Sequence, residues 1–426
     1  MEKYNKRIAD EMLARKLAGK GAVLIEGAKW CGKTTTAEQA AKSVVYLSDP
    51  LQLQRFTIDA NMTHEGLLQG ETPHLIDEWQ LIPKVWDSIR FAVDHRRKVG
   101  QFILTGSAVP ARIEEISHTG TGRFAWLKMR PMTLWESNDS VGIVSLKELF
   151  EQKSIKSEQD VRLSLEDIAY LMCRGGWPGA VNMIDRQIAL DQSFDYVDAV
   201  AESDLTRVDG IKKNADRVRR ILKSYTRHQG SQVSMSVLIE DIQSNDNETI
   251  SEPTMGVYLS ALQKIFLVED MPAWNPNLRS KTAIRASNTR YFVDPSVATT
   301  ALGIGPNDLL NDLNTMGLLF ETMAVRDLRV YAEPIDGKVY HYRDKSGLEC
   351  DAVVHLRNGQ YGLVEIKLGG DKLIEDGAAN LLALRKKIDT DKMGVPSFLM
   401  VLTANGSYPY TRSDGVCVVP IGSLRN

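Results

Sequence analysis

A glycine-rich octapeptide near the amino terminus restricts the possible folds of this chain more than any other feature. Residues 27–34 read Gly-Ala-Lys-Trp-Cys-Gly-Lys-Thr and fit the pattern G-x-x-x-x-G-K-[ST]. The apolar run Ala22–Glu26 precedes this pattern, and a helix is predicted to begin near Lys33. A loop of this kind directs backbone N–H groups at a phosphate chain, beside the positive end of a helix dipole. We therefore predict an α/β fold with a parallel sheet that binds a nucleoside triphosphate.

The predicted nucleotide contacts lie along this phosphate loop and the first turn of the following helix. Lys33 is expected to bridge the β- and γ-phosphates of ATP, and the Thr34 hydroxyl is expected to bind Mg²⁺. The other positions expected to contact ATP, mainly through backbone N–H groups, are Gly27, Ala28, Lys29, Trp30, Cys31, Gly32 and Thr35.

A second apolar run ends in two carboxylates that would lie beside the phosphate loop. Residues 74–78 read His-Leu-Ile-Asp-Glu, so Asp77 and Glu78 fall at the carboxyl end of a predicted strand. We expect Asp77 to hold Mg²⁺ indirectly, through water or Thr34. We expect Glu78 to orient and activate the attacking water.

A third run, residues 102–107, ends in small hydroxyl residues. Thr105 or Ser107 has the right chemistry to contact the γ-phosphate or the attacking water, and would then act as a sensor of the nucleotide. The other interpretation is a plain turn after a buried strand.

An arginine in a flexible loop is the candidate for a contact between subunits. Arg123 follows Gly120-Thr121-Gly122 and precedes the last predicted strand of this region. Because a guanidinium group suits phosphate charge, Arg123 would serve as an arginine finger for the nucleotide of a neighbouring subunit. A local structural role for Arg123 is an equal alternative, and Arg130 is the rival candidate for the finger.

Length and pattern divide the 426 residues into three predicted domains. Short apolar runs that alternate with helical stretches indicate a parallel sheet in residues 1–140. Helical periodicity dominates residues 141–305, and strands surround a charged helix in residues 306–426. The predicted elements of the two sheet regions are strands at Ala22–Glu26, Val44–Leu47, Leu75–Asp77, Phe102–Thr105, Ala125–Met129, Lys338–Tyr342, Asp351–Leu356, Tyr361–Lys367, Ser397–Leu402 and Val416–Pro420, and a helix at Leu373–Lys387.

Composition is that of a globular protein outside the membrane. The apolar fraction is 43% and the charged fraction is 25%. No apolar run approaches the roughly 18–20 residues needed to cross a bilayer. The first residues also lack the apolar core of a signal peptide, so we expect a cytoplasmic location. The four scattered cysteines favour reduced, mostly buried thiols over disulfides or a zinc site.

The middle region is typical of a winged helix with a basic wing. Two helices are predicted within Val233–Phe266, and the stretch Met271–Val293 contains no acidic residue. Such a module commonly binds duplex DNA. The alternatives are a solvated basic face or a lid over the nucleotide. The residues predicted to contact nucleic acid are Arg279, Lys281 and Arg285.

Three carboxylates and a lysine in the last region follow the order of a metal-dependent nuclease site. Glu321 lies on an amphipathic helix, Asp351 begins a strand, and Glu365 and Lys367 share one face of the next strand. The carboxylates would hold Mg²⁺ or Mn²⁺, and Lys367 would position or activate a water for phosphodiester hydrolysis. The alternatives are a surface ion pair for Glu365 and Lys367 and a bracing role for Glu321.

An ordered set of motifs carries a resemblance to a known family. Residues from about 20 to 300 resemble the bacterial and archaeal AAA+-related ATPases of the AAA_14 type, which carry a DUF4143 C-terminal region. Trp30 departs from that pattern because it is bulkier than the usual residue, but only the backbone at this position faces the phosphates. The matching stretches are GAKWCGKTT, HLIDEWQLIP, FILTGSA, GRF, RPMTLWES, GGWPGAV and YFVDPSVA.

The resemblance implies an ATP hydrolase that forms a homo-oligomeric ring such as a hexamer. In the DUF4143 region, the order of elements around Glu321, Asp351, Glu365 and Lys367 resembles the PD-(D/E)xK, restriction-endonuclease-like fold.

Two functions remain open at the level of the sequence. The first is Mg²⁺-dependent ATP hydrolysis coupled to DNA binding or processing, with endonuclease activity in the C-terminal domain. The second is an ATP-dependent switch or remodeller of a protein partner, with a catalytically silent nuclease-like module. The net charge of −3 gives no overall signature of nucleic-acid binding and slightly favours the second.

Overall fold

The structure, a computed structural model, describes residues 4–62, 66–106, 119–155, 160–161, 163–206, 213–246, 248–275 and 287–426. The chain divides into two compact units. Unit 1 comprises Met1–Pro131, Glu202–Lys213 and Ser260–Leu267, and unit 2 comprises Met132–Ala201, Asn214–Leu259 and Val268–Asn426. The division into three domains at residues 140 and 305 stays a prediction.

Unit 1 contains a five-stranded sheet. All its strands are parallel, in the order β2-β3-β4-β1-β5. Neighbouring parallel strands need crossover connections, which are usually helices. Its elements are α1 (Ile8–Gly19), β1 (Ala22–Glu26), α2 (Lys33–Ala40), β2 (Ser43–Tyr46), α3 (Pro50–Met62), β3 (His74–Asp77), α4 (Val85–Arg96), β4 (Phe102–Gly106) and β5 (Phe124–Lys128).

Buried apolar side chains explain why these short segments form central strands. Every residue of β3 and β4 is buried, and so are the first four residues of β1. Parallel strands covered on both faces show continuous apolar runs, as these do. Each run ends in a polar or small residue at the carboxyl edge, where Asp77 pairs in register with Thr105. Polar groups that follow the strands therefore collect at one edge of the sheet.

The first part of unit 2 is mainly helical, as predicted. After the helix Glu252–Lys264, antiparallel bridges join Val268 to Phe292 and Met271 to Thr289. The predicted winged helix with a basic wing stays a prediction, because Arg279, Lys281 and Arg285 lie outside the described residues. The elements of this part are β6 (Val144–Ser145), α5 (Leu146–Phe150), α6 (Leu165–Arg174), α7 (Pro178–Val181), α8 (Arg186–Ala199), α9 (Ala215–Arg227), α10 (Met235–Asp246), α11 (Glu252–Lys264, whose last turn belongs to unit 1), α12 (Pro295–Leu302) and α13 (Pro306–Asn311).

The second part of unit 2 is a mixed sheet with helices packed on it. The strand order is β11-β12-β10-β9-β8-β7, with β9, β10 and β12 parallel and the other pairings antiparallel. The helices α14 and α15 both contact the central strands. The elements are α14 (Leu313–Ala332), β7 (Gly337–Arg343), β8 (Glu349–Leu356), β9 (Tyr361–Lys367), α15 (Asp371–Lys387), α16 (Thr390–Met393), β10 (Phe398–Thr403), β11 (Tyr410–Thr411), β12 (Cys417–Pro420) and β13 (Leu424–Arg425).

A buried charged network joins distant segments of unit 2. The Arg326 guanidinium of α14 lies 2.7 Å from an Asp294 carboxylate oxygen and 2.8 Å from one of Asp327. Asp294 also accepts the N–H of Gly176, and Asp327 accepts the N–H of Leu134, each at 3.0 Å. These residues are almost wholly excluded from solvent. Three of the motifs that carry the family resemblance therefore meet at one arginine.

Two further properties concern the whole chain. All four cysteines are free thiols, and Cys31, Cys173 and Cys350 are buried, as the composition predicts. Among the described residues, no helix combines the length and apolar character that crossing a bilayer requires.

Candidate functional site

The loop between β1 and α2 wraps closely against the neighbouring strand end, and two glycines permit this path. A Cβ atom on Gly27 would lie 2.1 Å from the Met129 carbonyl oxygen, so a larger residue cannot fit there. Gly32 precedes α2 with φ at +96°, in the left-handed region that favours glycine. Trp30 also has a positive φ of 65°, and its side chain is 55% exposed. The indole therefore points away from the interior of the loop.

Lys33 is buried at the start of α2 and folds back onto the loop. Its Nζ atom donates to the carbonyl oxygens of Gly27 at 3.0 Å and Ala28 at 2.8 Å. Only 5% of the residue is exposed. The ammonium group is thus held inside the curve of the phosphate loop, where the predicted phosphate contacts are. Cys31 is buried in the same loop, and Thr35 is exposed on the first turn of the helix.

Asp77 connects three of the predicted site segments. Its Oδ1 atom accepts hydrogen bonds from the Thr34 hydroxyl and the Thr105 hydroxyl, each at 2.6 Å. The three residues come from α2, β3 and β4. The structure therefore brings together the side chains that the sequence assigns to metal binding and to nucleotide sensing, whereas Ser107 lies outside the described residues.

Glu78 follows Asp77 in a left-handed conformation, with φ of 56°. This change in backbone direction takes its side chain out of the strand. The Gln80 side-chain amide donates to the Glu78 carboxylate. Gln80 also lies near the end of β4, since a Cβ on Gly106 would be 2.8 Å from its Oε1 atom. Glu78 is thus held at the same edge of the sheet as Asp77.

The oxygen donors at this edge fit a magnesium ion. Mg²⁺ usually takes one or two protein oxygens and completes its shell with water and substrate phosphates. The Thr34 hydroxyl and the Asp77 carboxylate are oxygen donors of this kind, and they already lie within hydrogen-bonding distance of each other.

Residues before α1 brace the phosphate loop, and no sequence motif predicted them. The buried guanidinium of Arg7 donates to the carbonyl oxygens of Cys31 and Arg130, both at 2.8 Å. Tyr4 reaches the Asp10 carboxylate at 2.7 Å and the Thr36 hydroxyl at 3.0 Å. Burial is the main reason that the pKa of Tyr4 is raised.

The structure places Arg123 at the opposite edge of the sheet. Its backbone oxygen accepts the N–H of Ala22, the first residue of β1, whereas the phosphate loop follows the last. The guanidinium donates to an Asp94 carboxylate oxygen at 2.8 Å, and this bond raises the pKa of Arg123. Arg123 is therefore separate from the phosphate loop of its own chain. Arg130 lies buried just beyond the end of β5.

A second cluster of charged side chains lies in unit 2, where the sequence predicted one. The Lys367 Nζ atom is 2.7 Å from a Glu365 carboxylate oxygen and 3.2 Å from an Asp351 oxygen. Asp351 also accepts the N–H of Ile366 at 2.7 Å. Glu321 accepts a hydrogen bond from the buried hydroxyl of Tyr291, which the sequence analysis did not single out.

Burial and mutual repulsion shift the titration of this cluster. Burial and the nearby Asp351 carboxylate raise the pKa of Glu321 and that of Glu365. Burial opposes the charge on Lys367, but Asp351 and Glu365 raise the pKa of its ammonium group. Burial and Glu321 raise the pKa of Tyr291. Glu321, Asp351, Glu365 and Lys367 thus form one electrostatically connected group.

The metal-binding role that the sequence predicts for Glu321, Asp351 and Glu365 stays a prediction. Within the described parts of the chain, no group of three or more His, Cys, Asp or Glu side chains is arranged to hold a metal ion. Asp351 and Glu365 both contact the Lys367 ammonium, and Glu321 accepts a hydrogen bond from the Tyr291 hydroxyl. The cluster is an ion-pair network in this structure.

Family models match three consecutive parts of the chain. Residues 19–138 match an AAA domain of the AAA_14 type, residues 165–308 match a domain of unknown function, DUF8612, and residues 316–424 match another, DUF4143. The fold and the phosphate loop define an α/β protein of the P-loop class. More particularly, the chain carries an AAA_14-type AAA domain and a DUF4143 domain, which confirms these two parts of the resemblance. Residues 165–308, most of which the resemblance assigned to the AAA_14 type, match DUF8612 instead. Neither description mentions a nuclease.

The similar solved structures include two ATPases and one protein bound to AMPPCP, all with low sequence identity to this chain. A Walker-type ATPase of Pyrococcus abyssi is 16% identical, with 69% of this chain and 94% of that chain covered and a TM-score of 0.42. A STAND protein with a tetratricopeptide repeat sensor from Pyrococcus horikoshii is 15% identical, with 79% and 50% covered and a TM-score of 0.26. AMPPCP-bound DnaA from Aquifex aeolicus is 13% identical, with 61% and 85% covered and a TM-score of 0.25. These scores carry no functional argument. No curated protein matches the sequence.

Proposed function

We propose that this protein binds and hydrolyses ATP with Mg²⁺ at the phosphate loop of unit 1. The observation that carries the proposal is the convergence of Thr34 and Thr105 on one Asp77 oxygen, beside the buried ammonium of Lys33. A phosphate chain in the loop would lie between a fixed positive charge and a set of oxygen ligands for its metal. Phosphoryl transfer depends mainly on such positioning and charge stabilisation.

Each side chain then has a defined task. Lys33 exchanges its bonds to the loop carbonyls for bonds to the β- and γ-phosphates. The Thr34 hydroxyl would bind Mg²⁺, and Asp77 would hold the ion indirectly, through water or through Thr34. Glu78 orients the attacking water and accepts its proton, and the Gln80 amide keeps the Glu78 carboxylate in place. The Thr105 hydroxyl contacts the γ-phosphate, and its hydrogen bond to Asp77 then changes with the nucleotide.

Arg123 acts between chains in this proposal. It lies at the sheet edge opposite its own phosphate loop and is 44% exposed, so only the nucleotide of another copy suits it as a finger. A homo-oligomeric ring, such as a hexamer, follows from that role. The ion pair with Asp94 supports the alternative in which Arg123 is structural.

Two substitutions separate binding from turnover. Lys33→Ala should abolish detectable binding of Mg·ATP in calorimetry, because the loop loses its buried cation. Glu78→Gln should bind Mg·ATP with nearly wild-type affinity but lower turnover by about a hundredfold or more, since a base and positioning group is removed. Lys42→Ala, on an exposed residue outside the loop, is the matched control and should change neither quantity. A Glu78→Gln protein with normal turnover would refute the role of Glu78.

We propose further that ATP turnover is coupled to DNA. The basic stretch that includes Arg279, Lys281 and Arg285 supports this coupling from the sequence alone. The alternative is that turnover drives a switch in a protein partner. The net charge of −3 supports that alternative, because it provides no general attraction for nucleic acid.

The ion-pair network of unit 2 supports a second candidate activity, cleavage of phosphodiesters. Glu321, Asp351 and Glu365 would hold a Mg²⁺ or Mn²⁺ ion, and Lys367 would position or activate the attacking water. Incubation of the wild type with supercoiled and linear DNA should yield nicks with Mg²⁺ or Mn²⁺ and none with EDTA, and Asp351→Ala should yield none with either ion. Asp376→Ala, an exposed carboxylate on α15, is the control and should cut normally. Intact DNA under all these conditions would favour a catalytically silent module.

A further inference from the structure

A lysine of the phosphate loop is held by a carboxylate from a distant part of the chain. The Lys29 Nζ atom lies 2.5 Å from Oδ1 of Asp204, a residue that is 175 positions later in sequence. Both residues belong to unit 1. The Asp204 side chain is only 10% exposed, whereas that of Lys29 is 41% exposed. The carboxylate is therefore the more fixed partner, and the lysine is the one that can change its contact.

The backbone around Asp204 has an uncommon conformation. Residues Val200–Asp204 form a π-helical turn directly after α8. Such turns are rare and occur frequently at functional sites. Leu205 is fully buried, and the Thr206 hydroxyl accepts the N–H of Lys213, so the residues after the turn are anchored. This anchoring holds the Asp204 carboxylate beside the phosphate loop.

The pair competes with a bound nucleotide for the same ammonium group. Lys29 follows Gly27 by two positions, within the loop that would carry several negative phosphate charges. A triphosphate attracts the Lys29 ammonium and repels the Asp204 carboxylate, and both effects act against the ion pair. Charge interactions at the edge of a protein remain substantial over several ångströms.

We propose that Asp204 sets the nucleotide affinity of the phosphate loop by holding Lys29 in an ion pair that a bound triphosphate breaks. This inference rests on the proposed function of the loop and adds a positioning residue to it. Release of Asp204 then loosens Glu202–Asp204, the part of the π-helical turn that belongs to unit 1. Asp204 acts through Lys29 and by charge, without touching the reacting atoms.

The first test is the affinity of the full-length protein for Mg·AMPPCP, a triphosphate analogue, measured by calorimetry. Asp204→Asn removes the charge and keeps the shape, so the Kd should fall by about three- to tenfold. Asp198→Asn, which removes an exposed carboxylate from α8, is the matched control and should stay within about twofold of the wild type, as distant surface charges are screened. A structural brace would give the opposite result, since a loosened loop binds the analogue more weakly.

The second test follows backbone hydrogen exchange in residues 200–206. In the wild type, exchange should rise when Mg·AMPPCP is added. In Asp204→Asn it should be high without nucleotide and should change little on addition. If the wild type binds the analogue but Asp204→Asn binds it equally or more weakly, the role of Asp204 is refuted and the proposed ATP site stands. If the wild type and Asp204→Asn both fail to bind it, the proposed ATP site and this inference fall together.

Discussion

Single hydrogen-bonding groups decide how the phosphate loop is organised. Asp77 receives two threonine hydroxyls on one oxygen, and these threonines come from the helix after the loop and from the neighbouring strand. Lys33 is satisfied by loop carbonyls in the same region. In this arrangement a shift of one side chain changes the partners of the next. Thr105 is well placed for such coupling, because it is buried and has Asp77 as its hydrogen-bond acceptor.

Thr105→Val tests this coupling, since valine has nearly the same shape but no hydroxyl. If Thr105 reports the γ-phosphate, turnover should fall by about ten- to a hundredfold, while the Kd for Mg·ATP changes by less than about threefold. Both quantities are measured by steady-state turnover and calorimetry. Thr105→Ser keeps the hydroxyl and should restore most of the turnover. Equal losses in Thr105→Ser and Thr105→Val would instead indicate a packing role for the side chain.

At the scale of elements, the sheets were predictable and the contacts between distant segments were not. The predicted strand at Ala22–Glu26 matches β1, and the one at Tyr361–Lys367 matches β9. Central parallel strands are buried on both faces, so their apolar runs are visible in the sequence itself. Asp77 and Glu78 could be located for the same reason. The end of the apolar run marks the carboxyl end of the strand, and the carboxyl ends of parallel strands form one edge of the sheet.

Other features have no local signature. The bond from Arg7 to the phosphate loop and the pair of Lys29 with Asp204 join residues that only the tertiary fold brings together. Tyr291 looks like any core aromatic until Glu321 is found beside its hydroxyl. The segment Glu202–Lys213 belongs to unit 1 although helical periodicity surrounds it, and periodicity does not say which unit a helix packs on.

The network around Arg326 makes a testable claim about packing within unit 2. Arg326→Met leaves the buried carboxylates of Asp294 and Asp327 without their cation. Breaking a buried ion pair in this way costs about 3–5 kcal/mol, so the urea midpoint of unit 2 should fall clearly. Circular dichroism during urea unfolding measures it. Arg385→Met, on an exposed face of α15, should change stability by about 0.5 kcal/mol or less. A wild-type midpoint for Arg326→Met would show that the carboxylates become protonated at little cost.

At the scale of the whole molecule, the chain combines a nucleotide-binding unit with a unit whose charged network and basic stretch have a different chemistry. The overall charge of −3 is too small to attract or repel DNA by itself. Any attraction must come from a local patch, and the basic stretch between Met271 and Val293 is the candidate from the sequence. The two functions proposed for the protein therefore differ in what they predict for salt and for added DNA.

The rate of ATP turnover with and without DNA distinguishes them. If DNA is the partner, duplex DNA should raise turnover several-fold, and the stimulation should fall steeply as salt rises, because counterions compete for the phosphates. Replacing Arg279, Lys281 and Arg285 together by Glu should remove the stimulation and leave basal turnover unchanged.

The control replaces three exposed basic residues of α15 by Glu, namely Lys372, Arg385 and Lys386, which makes the same change in net charge elsewhere. If both triple variants lose stimulation equally, only net charge matters and the basic stretch has no special role. If neither single- nor double-stranded DNA changes wild-type turnover at low salt, coupling to DNA is refuted, and a protein partner that stimulates turnover becomes the function to seek.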